Sequence, residues 1–141
     1  MIGSNNMGMI FHITRQEDWR RALEAGSYRA DSLERQGFIH CSTQMQVLRV
    51  ANALFRGQRG MVLLCIDEQR VQPAILYEAP LEQPESPERF PHIYGPLNID
   101  AVVAVVPFEP RDDGSFELPP QAAKFSDGGG PPVDPGDPVE G

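Results

Sequence analysis

The sequence predicts one small α+β domain, because two segments have helical periodicity and several others are short runs typical of strands. The chain has 141 residues, a length that one hydrophobic core can support. Capping sequences and glycines mark the helix ends. We predict the domain over residues 9–118, after a flexible N-terminal extension of residues 1–8 and before a disordered acidic tail of residues 119–141.

The first strand is predicted over residues 9–13, which are short and rich in strand-forming residues. Thr14 and Glu17 then have the spacing of a capping box, in which the side chains of both residues satisfy free backbone N–H groups. Gly26 ends the helix that follows. The chain therefore begins with a strand and a helix.

A second unit of the same kind follows, with a short strand predicted over residues 38–41. Thr43 and Gln46 form a second capping box, and the helix behind it presents an apolar face until Gly57. This unit repeats the first in structure but not in sequence.

Three further strands are predicted in the second half of the chain. Residues 61–66 and 101–108 are continuous apolar runs, which is typical of strands covered on both faces, and residues 75–78 are a shorter candidate. Residues 80–91 are polar and rich in proline, so we predict a loop that brings the segment FPHIYGPL next to the core.

The negative charge of the chain is concentrated near its C-terminus. The formal net charge is -8, of which residues 112–141 carry -6 and the first 111 residues only -2. The body therefore lacks the basic excess of a protein that binds duplex DNA. From about Asp112 the composition shifts to proline, glycine and aspartate, and the stretch after Phe125 cannot bury enough apolar surface to offset the entropy lost on ordering.

The cysteines and the hydropathy favour a cytoplasmic protein. Cys41 and Cys65 have no close-spaced partner, so neither a disulfide framework nor a CxxC motif is indicated. No segment has the length and hydropathy of an export signal or of a membrane span. The protein partners of this chain are unknown from its sequence.

Three histidines are the sharpest feature of the sequence: His12 in FHIT, His40 in FIHCS and His92 in FPHIYGP. Strand side chains alternate, so His12 shares a face with Thr14, and His40 shares one with Ser42. Imidazole and hydroxyl groups at a strand end that leads into a helix suit a ribose or phosphate ligand. The alternative is that each histidine is a satisfied, half-buried residue and that the hydroxyls are helix caps.

Other residues add to a nucleotide-type ligand site. Tyr28, Arg29 and Ser32 supply an aromatic face, a planar cation and a small hydroxyl, although the same segment also fits an ordinary surface connection. Glu78 ends an apolar strand, where a carboxylate can stabilise a developing cation, or it is simply an exposed acid. Tyr94 lies in a loop framed by prolines.

The segments FHIT, YRADSLERQGFIHCST, LYE and RFPHIYGPL together resemble the bacterial domain-of-unknown-function family 952. The resemblance implies an ADP-ribosyltransferase-like fold of two small packed, mainly antiparallel sheets with flanking helices and a nucleotide cleft between them. It also implies that NAD is the substrate, that His12 binds the ribose or nicotinamide, and that His40 with Ser42 forms the second motif. Glu78 would be the third, with His92 or Tyr94 as alternatives.

Two hypotheses of different classes follow, both with a small nucleotide-type ligand. The first is an NAD-dependent ADP-ribosyl- or phosphate-transferring enzyme, in which His12, His40 and Glu78 are catalytic and the reaction passes through an oxocarbenium-like state. The FIHCS segment also resembles RNA 2′-phosphotransferases, but their RNA-binding basic residues have no clear match, so an RNA end is unsupported as a partner. The second hypothesis is a non-catalytic domain that binds a nucleotide or sugar phosphate.

A metal site built from the three histidines is disfavoured. The sequence has no HxH or HExxH spacing, which would place two imidazoles on one face. His40 and Cys41 are predicted on opposite faces of their strand, so they cannot easily bind the same ion. We therefore expect no bound metal.

Overall fold

The computed structural model describes residues 8–125, and the elements below are those of this part of the chain. The strands are β1 Met9–Arg15, β2 Ser27–Tyr28, β3 Ile39–His40, β4 Met61–Asp67, β5 Ala74–Glu78, β6 Phe90–Tyr94, β7 Leu97–Asn98 and β8 Val102–Phe108. The helices are α1 Gln16–Ala25, α2 Asp31–Gln36, α3 Gln44–Leu54 and α4 Pro120–Ala123. None of the helices among the described residues is long and apolar enough to cross a membrane.

The strands form three small sheets in which every pairing is antiparallel. The sheet orders are β1-β4-β8, β3-β6-β5 and β2-β7. Phe11 of β1 and Ser42, just after β3, exchange two backbone hydrogen bonds of 2.8 Å, which join the first two sheets. The predicted mixed α+β class with small, mainly antiparallel sheets is confirmed. The junction at Phe11 and Ser42 brings His12 close to His40.

The core lies on both faces of the β1-β4-β8 sheet. On one face, Ile10 and Leu64 pack in a cluster with Trp19 of α1. On the other face, Phe11 packs in a cluster with Val47 of α3. β4 is the central strand and all of its residues from 61 to 66 are buried, which confirms the prediction that it is covered on both faces.

The two predicted capping boxes have different outcomes. The box at Thr14 and Glu17 is wrong, because β1 continues to Arg15 and α1 begins at Gln16 with no side-chain cap. The Thr14 side chain is instead buried and is hydrogen-bonded within the core. At Thr43 the box is confirmed, and the Thr43 backbone N–H donates to Gln46 Oε1 over 3.0 Å.

Three strand and loop predictions need correction. β8 is an edge strand, and Val103 and Val105 on one of its faces are partly exposed, so the prediction of cover on both faces is wrong for this strand. The end of the predicted loop is part of β6, which is the central strand of its sheet. The segment from Tyr28 to Phe38, which fitted either a ligand contact or a surface connection, contains the short helix α2, for which no helix was predicted.

Part of the predicted tail is folded. α4 lies within residues 119–125, and its Ala122 is fully buried in the same cluster as Phe116. The segment assigned to the tail therefore begins with a helical turn. The predictions of a flexible extension before residue 8 and of disorder from residue 126 onward lie outside the described residues.

Candidate functional site

His12 belongs to a closed hydrogen-bond network. Its Nδ1 lies 2.5 Å from the main-chain oxygen of His40 and its Nε2 lies 2.8 Å from the Tyr28 hydroxyl. Because a carbonyl oxygen only accepts, Nδ1 carries the ring proton. Burial lowers the pKa of His12 to about 4, so the ring is neutral at pH 7 and Nε2 is an acceptor.

The other members of this network are equally enclosed. The Tyr28 hydroxyl is also 2.9 Å from Thr14 Oγ1, and burial raises the pKa of this phenol. Both side chains are buried. Each nitrogen of His12 therefore has a partner inside the protein, and His12 fixes the position of the His40 main chain.

Glu78, His92 and Tyr94 form a second network, on the paired strands β5 and β6. His92 Nδ1 donates to Glu78 Oε1 over 2.8 Å, and the Tyr94 hydroxyl donates to the same oxygen over 2.6 Å. Glu78 pairs with Phe90, so His92 and Tyr94 follow it on the same face of the sheet. The sequence left these three residues as alternatives for the third motif, and in the structure they are hydrogen-bonded to one another.

The charges of this network favour a carboxylate at Glu78. The hydrogen bond from Tyr94, followed by that from His92, lowers the pKa of Glu78. The same bond raises the pKa of Tyr94, which stays protonated. Because the carboxylate accepts from Nδ1, Nε2 of a neutral His92 is an unprotonated acceptor. This Nε2 has no hydrogen-bond partner among residues 8–125.

Phe38 fixes the His92 ring from one side. The two rings are stacked with centroids 4.0 Å apart, and Phe38 also contacts the rings of His40 and Tyr94 at 4.8 and 5.2 Å. His92 is only 2% exposed and Phe38 only 3%. The carboxylate and the stacking partner together leave this imidazole little freedom of rotation.

His40 is opposite His92 across the β3-β6 pair, with ring centroids 5.4 Å apart. Its Nε2 is 2.6 Å from Gln36 Oε1, at the end of α2. Partial burial, followed by the electrostatic effect of the neighbouring His92, lowers the pKa of His40. His40 is the more exposed of the two imidazoles.

His40 and His92 line a cavity of about 430 Å³, which we call the histidine cavity. Its polar side includes Ser42 and Ser32, and its apolar side includes Leu81. The volume and the mixture of apolar walls with a few polar groups are those of small-molecule sites. Ser32 Oγ donates to the Phe38 carbonyl over 2.7 Å, whereas the buried Ser42 hydroxyl makes no hydrogen bond within residues 8–125.

A second cavity of about 510 Å³ adjoins the first, and we call it the arginine cavity. Tyr28 and Arg29 line it. His12 and Arg35 line both cavities, so the closed His12 network lies at their junction.

The residues predicted from sequence thus fall into three groups. His40, Ser42, Ser32 and His92 meet at the histidine cavity, while Thr14, Tyr28 and Arg29 meet at the arginine cavity, and His12 borders both. Glu78 and Tyr94 line neither cavity and lie behind His92.

Sequence reasoning missed Arg35, Gln36 and Phe38. All three lie close before His40, in or just after the segment that fitted either a ligand contact or a surface connection. Phe38 was recognised only as part of the strand predicted over residues 38–41, and α2 was not predicted. A helix ending at Gly37, with Arg35 in its last turn, was the available signal.

Within residues 8–125, no group of three or more His, Cys, Asp and Glu side chains is arranged to hold a metal ion. His92 and Glu78 are held together by a direct hydrogen bond. Cys41 is buried in the core cluster on one side of β1 and also lines the histidine cavity, and burial raises the pKa of its thiol.

Comparisons with known proteins agree with this fold. The crystal structure of protein CC0527 from Caulobacter crescentus is 28% identical with a TM-score of 0.72, and the match covers 82% of this chain and 98% of that one. A double mutant of CC0527 gives the same values. The solution NMR structure of CC0527 is 29% identical with a TM-score of 0.67, and the match covers 78% and 92% of the two chains.

Among curated proteins there is no significant match. A family model matches residues 13–105, a span that contains α1 to α3, the second network and most of the lining of both cavities. That model is DUF952, described as a protein of unknown function. The match covers more than half of the sequence, and this chain therefore belongs to the DUF952 family.

Proposed function

We propose that this protein is an enzyme that binds a nucleotide-type substrate in the histidine cavity and transfers its ADP-ribosyl group, with NAD as the first candidate substrate. The observation that carries the proposal is the buried His92, whose Nδ1 is held by the Glu78 carboxylate while its other nitrogen has no partner in residues 8–125. A carboxylate that orients an imidazole beside a cavity is a recurrent arrangement for a general base. NAD itself is suggested by the resemblance to ADP-ribosyltransferases.

In the proposed reaction, the bond between C1′ of the ribose and the nicotinamide nitrogen breaks, and nicotinamide leaves. The oxygen of an acceptor hydroxyl or of water then bonds to C1′ through an oxocarbenium-like state. His92 Nε2 accepts the proton of that hydroxyl. The Glu78 carboxylate stabilises the imidazolium so formed, because the two groups are 2.8 Å apart.

This assignment changes the role expected of Glu78. The sequence suggested direct stabilisation of the cation, but Glu78 does not line the histidine cavity and both of its described partners, His92 and Tyr94, use the same oxygen. Glu78 is therefore a positioning residue that acts through His92. His40 and the unpaired Ser42 hydroxyl are the groups available to hold the ribose hydroxyls.

A second candidate is a non-catalytic domain that binds a nucleotide or a sugar phosphate. One observation favours it: both nitrogens of His12, the residue expected to hold the ribose, are already hydrogen-bonded within the protein. A cavity that needs no base would bind its ligand and form no product.

The test is nicotinamide release from NAD by the purified chain, followed by proton NMR with and without an added acceptor. Glu78→Gln keeps the size of the side chain but removes the charge that orients His92. We expect a loss of turnover of about 10²- to 10⁴-fold, the usual contribution of a general base, with little change in NAD binding. Glu24→Gln is the matched control, because Glu24 is exposed on α1 and has no hydrogen bond or ion pair with described residues.

Each other outcome rejects part of the proposal. Equal turnover in Glu78→Gln and wild type would remove the Glu78–His92 pair from the mechanism. Binding of NAD without nicotinamide release under any acceptor condition would favour the binding domain. Absence of chemical-shift change at His40 and His92 with millimolar NAD would exclude NAD as the ligand.

A further inference from the structure

The arginine cavity is locally basic in a protein whose net charge is negative. Four arginines line it, against two aspartates, Asp18 and Asp31. The arginines are Arg15, Arg21, Arg29 and Arg35. Because the body of the chain has a slight excess of acids, this concave basic surface is a specific local arrangement and not part of a general positive charge.

Three of these four guanidinium groups are available to a ligand. Arg21 is held by Asp18 at 3.2 Å and by Glu17 at 3.8 Å on its own helix. The side chains of Arg15, Arg29 and Arg35 form no hydrogen bond or ion pair with any residue in the described part of the chain. A guanidinium group presents its N–H donors in a planar fork that matches two phosphate oxygens.

The arginine cavity adjoins the histidine cavity. Arg35, His12, Ile13 and Phe55 line both, so two parts of one extended ligand could lie on either side of these residues. The volume of about 510 Å³ exceeds the space that one phosphate needs. Arg35 lies at the junction, where the anionic part of such a ligand would meet its sugar.

We propose that the arginine cavity binds the diphosphate group of the ligand whose ribose enters the histidine cavity, with Arg29 and Arg35 as its main contacts. This inference rests on the proposed function in one respect, the identification of the ligand as a nucleotide. The recognition of diphosphate by the arginine cavity does not depend on it. The substrate class is then a nucleoside diphosphate derivative with a second ribose, and not a nucleoside or a monophosphate.

Inorganic pyrophosphate is the probe, and its binding to the full chain is measured by isothermal titration calorimetry. We expect Arg29→Gln and Arg35→Gln each to weaken pyrophosphate binding about tenfold, as loss of one bidentate contact to phosphate does. Arg20→Gln removes the same charge from an exposed, unpaired arginine of α1 that does not line the arginine cavity, and it should change binding less than about twofold, because distant exposed charges are screened.

Orthophosphate distinguishes a diphosphate site from a site for a single anion. Pyrophosphate should bind at least about tenfold more tightly, because it can contact both arginines at once. Equal binding of the two anions would overturn the diphosphate assignment. Equal weakening by all three arginine variants, or no binding of pyrophosphate at millimolar concentration, would overturn the site.

The Glu78→Gln variant separates this inference from the proposed function. It should bind pyrophosphate as the wild type does, because Glu78 lines neither cavity. Pyrophosphate binding that depends on Arg29 and Arg35, together with no nicotinamide release from NAD, would reject the transferase and support the diphosphate site. Nicotinamide release without pyrophosphate binding would reject the site and leave the transferase.

Discussion

The His12 network and the His92 network use the same residue type in opposite ways. In both, the imidazole is buried and its Nδ1 is paired with an oxygen, which is the main-chain oxygen of His40 for His12 and the Glu78 carboxylate for His92. The second ring nitrogen differs between the two. In His12 it is hydrogen-bonded to the Tyr28 hydroxyl, whereas in His92 it has no hydrogen-bond partner among the described residues.

The difference shows what makes a buried histidine structural or reactive. Burial outweighs the hydrogen bond to the His40 carbonyl, which by itself would favour the charged ring, so His12 resists protonation and joins three segments of the chain. A carboxylate partner stabilises the charged ring that forms when a base accepts a proton. The free nitrogen beside a cavity then determines whether a substrate can reach it. Four predictions test this contrast.

The largest expected effect is on the packing of the His92 network. Phe38→Ala removes the ring that stacks on His92 and contacts His40 and Tyr94, and we expect a loss of about 3–5 kcal/mol in the free energy of unfolding. Urea denaturation measures this free energy. Phe55→Ala, at a half-buried position in the wall of the histidine cavity, should cost distinctly less. Equal costs would mean that the stack does not fix His92.

The second effect is a pH dependence of stability that comes from His12. Its pKa is about 4 in the folded protein and 6.5 as an ordinary value, so between these values the unfolded chain takes up a proton that the folded chain does not. The stabilisation is therefore present above pH 6.5 and is lost as the pH falls towards 4. The loss reaches about 3 kcal/mol.

His12→Asn provides the control for this pH dependence. Asparagine keeps an N–H donor near the position of Nδ1 but does not titrate. Carboxylates with lowered pKa values, such as Glu78 and Asp113, also destabilise the protein as the pH falls, but they do so in both variants. The difference in unfolding free energy between wild type and variant should therefore shrink from pH 7 to pH 4.5. A constant difference would contradict the buried, neutral His12.

The third effect is a difference in stability between two variants, each of which loses one tyrosine hydroxyl from one of the two networks. Tyr28→Phe leaves the buried His12 Nε2 and Thr14 without their partner, and we expect a cost of about 2 kcal/mol. Tyr94→Phe removes a hydroxyl from a more exposed bond to Glu78 and should cost less than about 1 kcal/mol. Thermal or urea unfolding of the two variants decides the order, and the reverse order would contradict the contrast between the networks.

Local patterns predicted most of the secondary structure but not its pairing. The apolar run in β4 and the capping box of α3 are set by neighbouring residues, and both predictions were correct. β6 was missed because Pro91 argues against a central strand. Pro91 lies at the end of the β3-β6 pairing: Cys41, just past β3, donates to the Pro91 oxygen, and the lack of an N–H in proline removes only the return bond of this last pair. One sequence does not determine that register.

The site was predictable where strand alternation applies. His40 and Ser42 were placed on one face, and both line the histidine cavity. The bond between Glu78 and His92 was not predictable, because it depends on how β5 pairs with β6. The role of Arg35 depends on α2, a short helix that was not predicted.

The smallest effect is a difference in stability between serine-to-alanine variants at two buried serines of the histidine cavity. Ser32 Oγ donates to the Phe38 carbonyl over 2.7 Å, so Ser32→Ala leaves a buried acceptor unpaired and should cost about 1–2 kcal/mol. Ser42 has no hydrogen-bond partner for its hydroxyl in residues 8–125, and Ser42→Ala should change stability by no more than about 0.5 kcal/mol. ADP-ribose binding should respond in the opposite sense, with a loss of about fivefold for Ser42→Ala if its hydroxyl is kept for the ligand. A large stability cost at Ser42 with unchanged ADP-ribose affinity would make this serine structural and leave the imidazoles as the polar groups of the site.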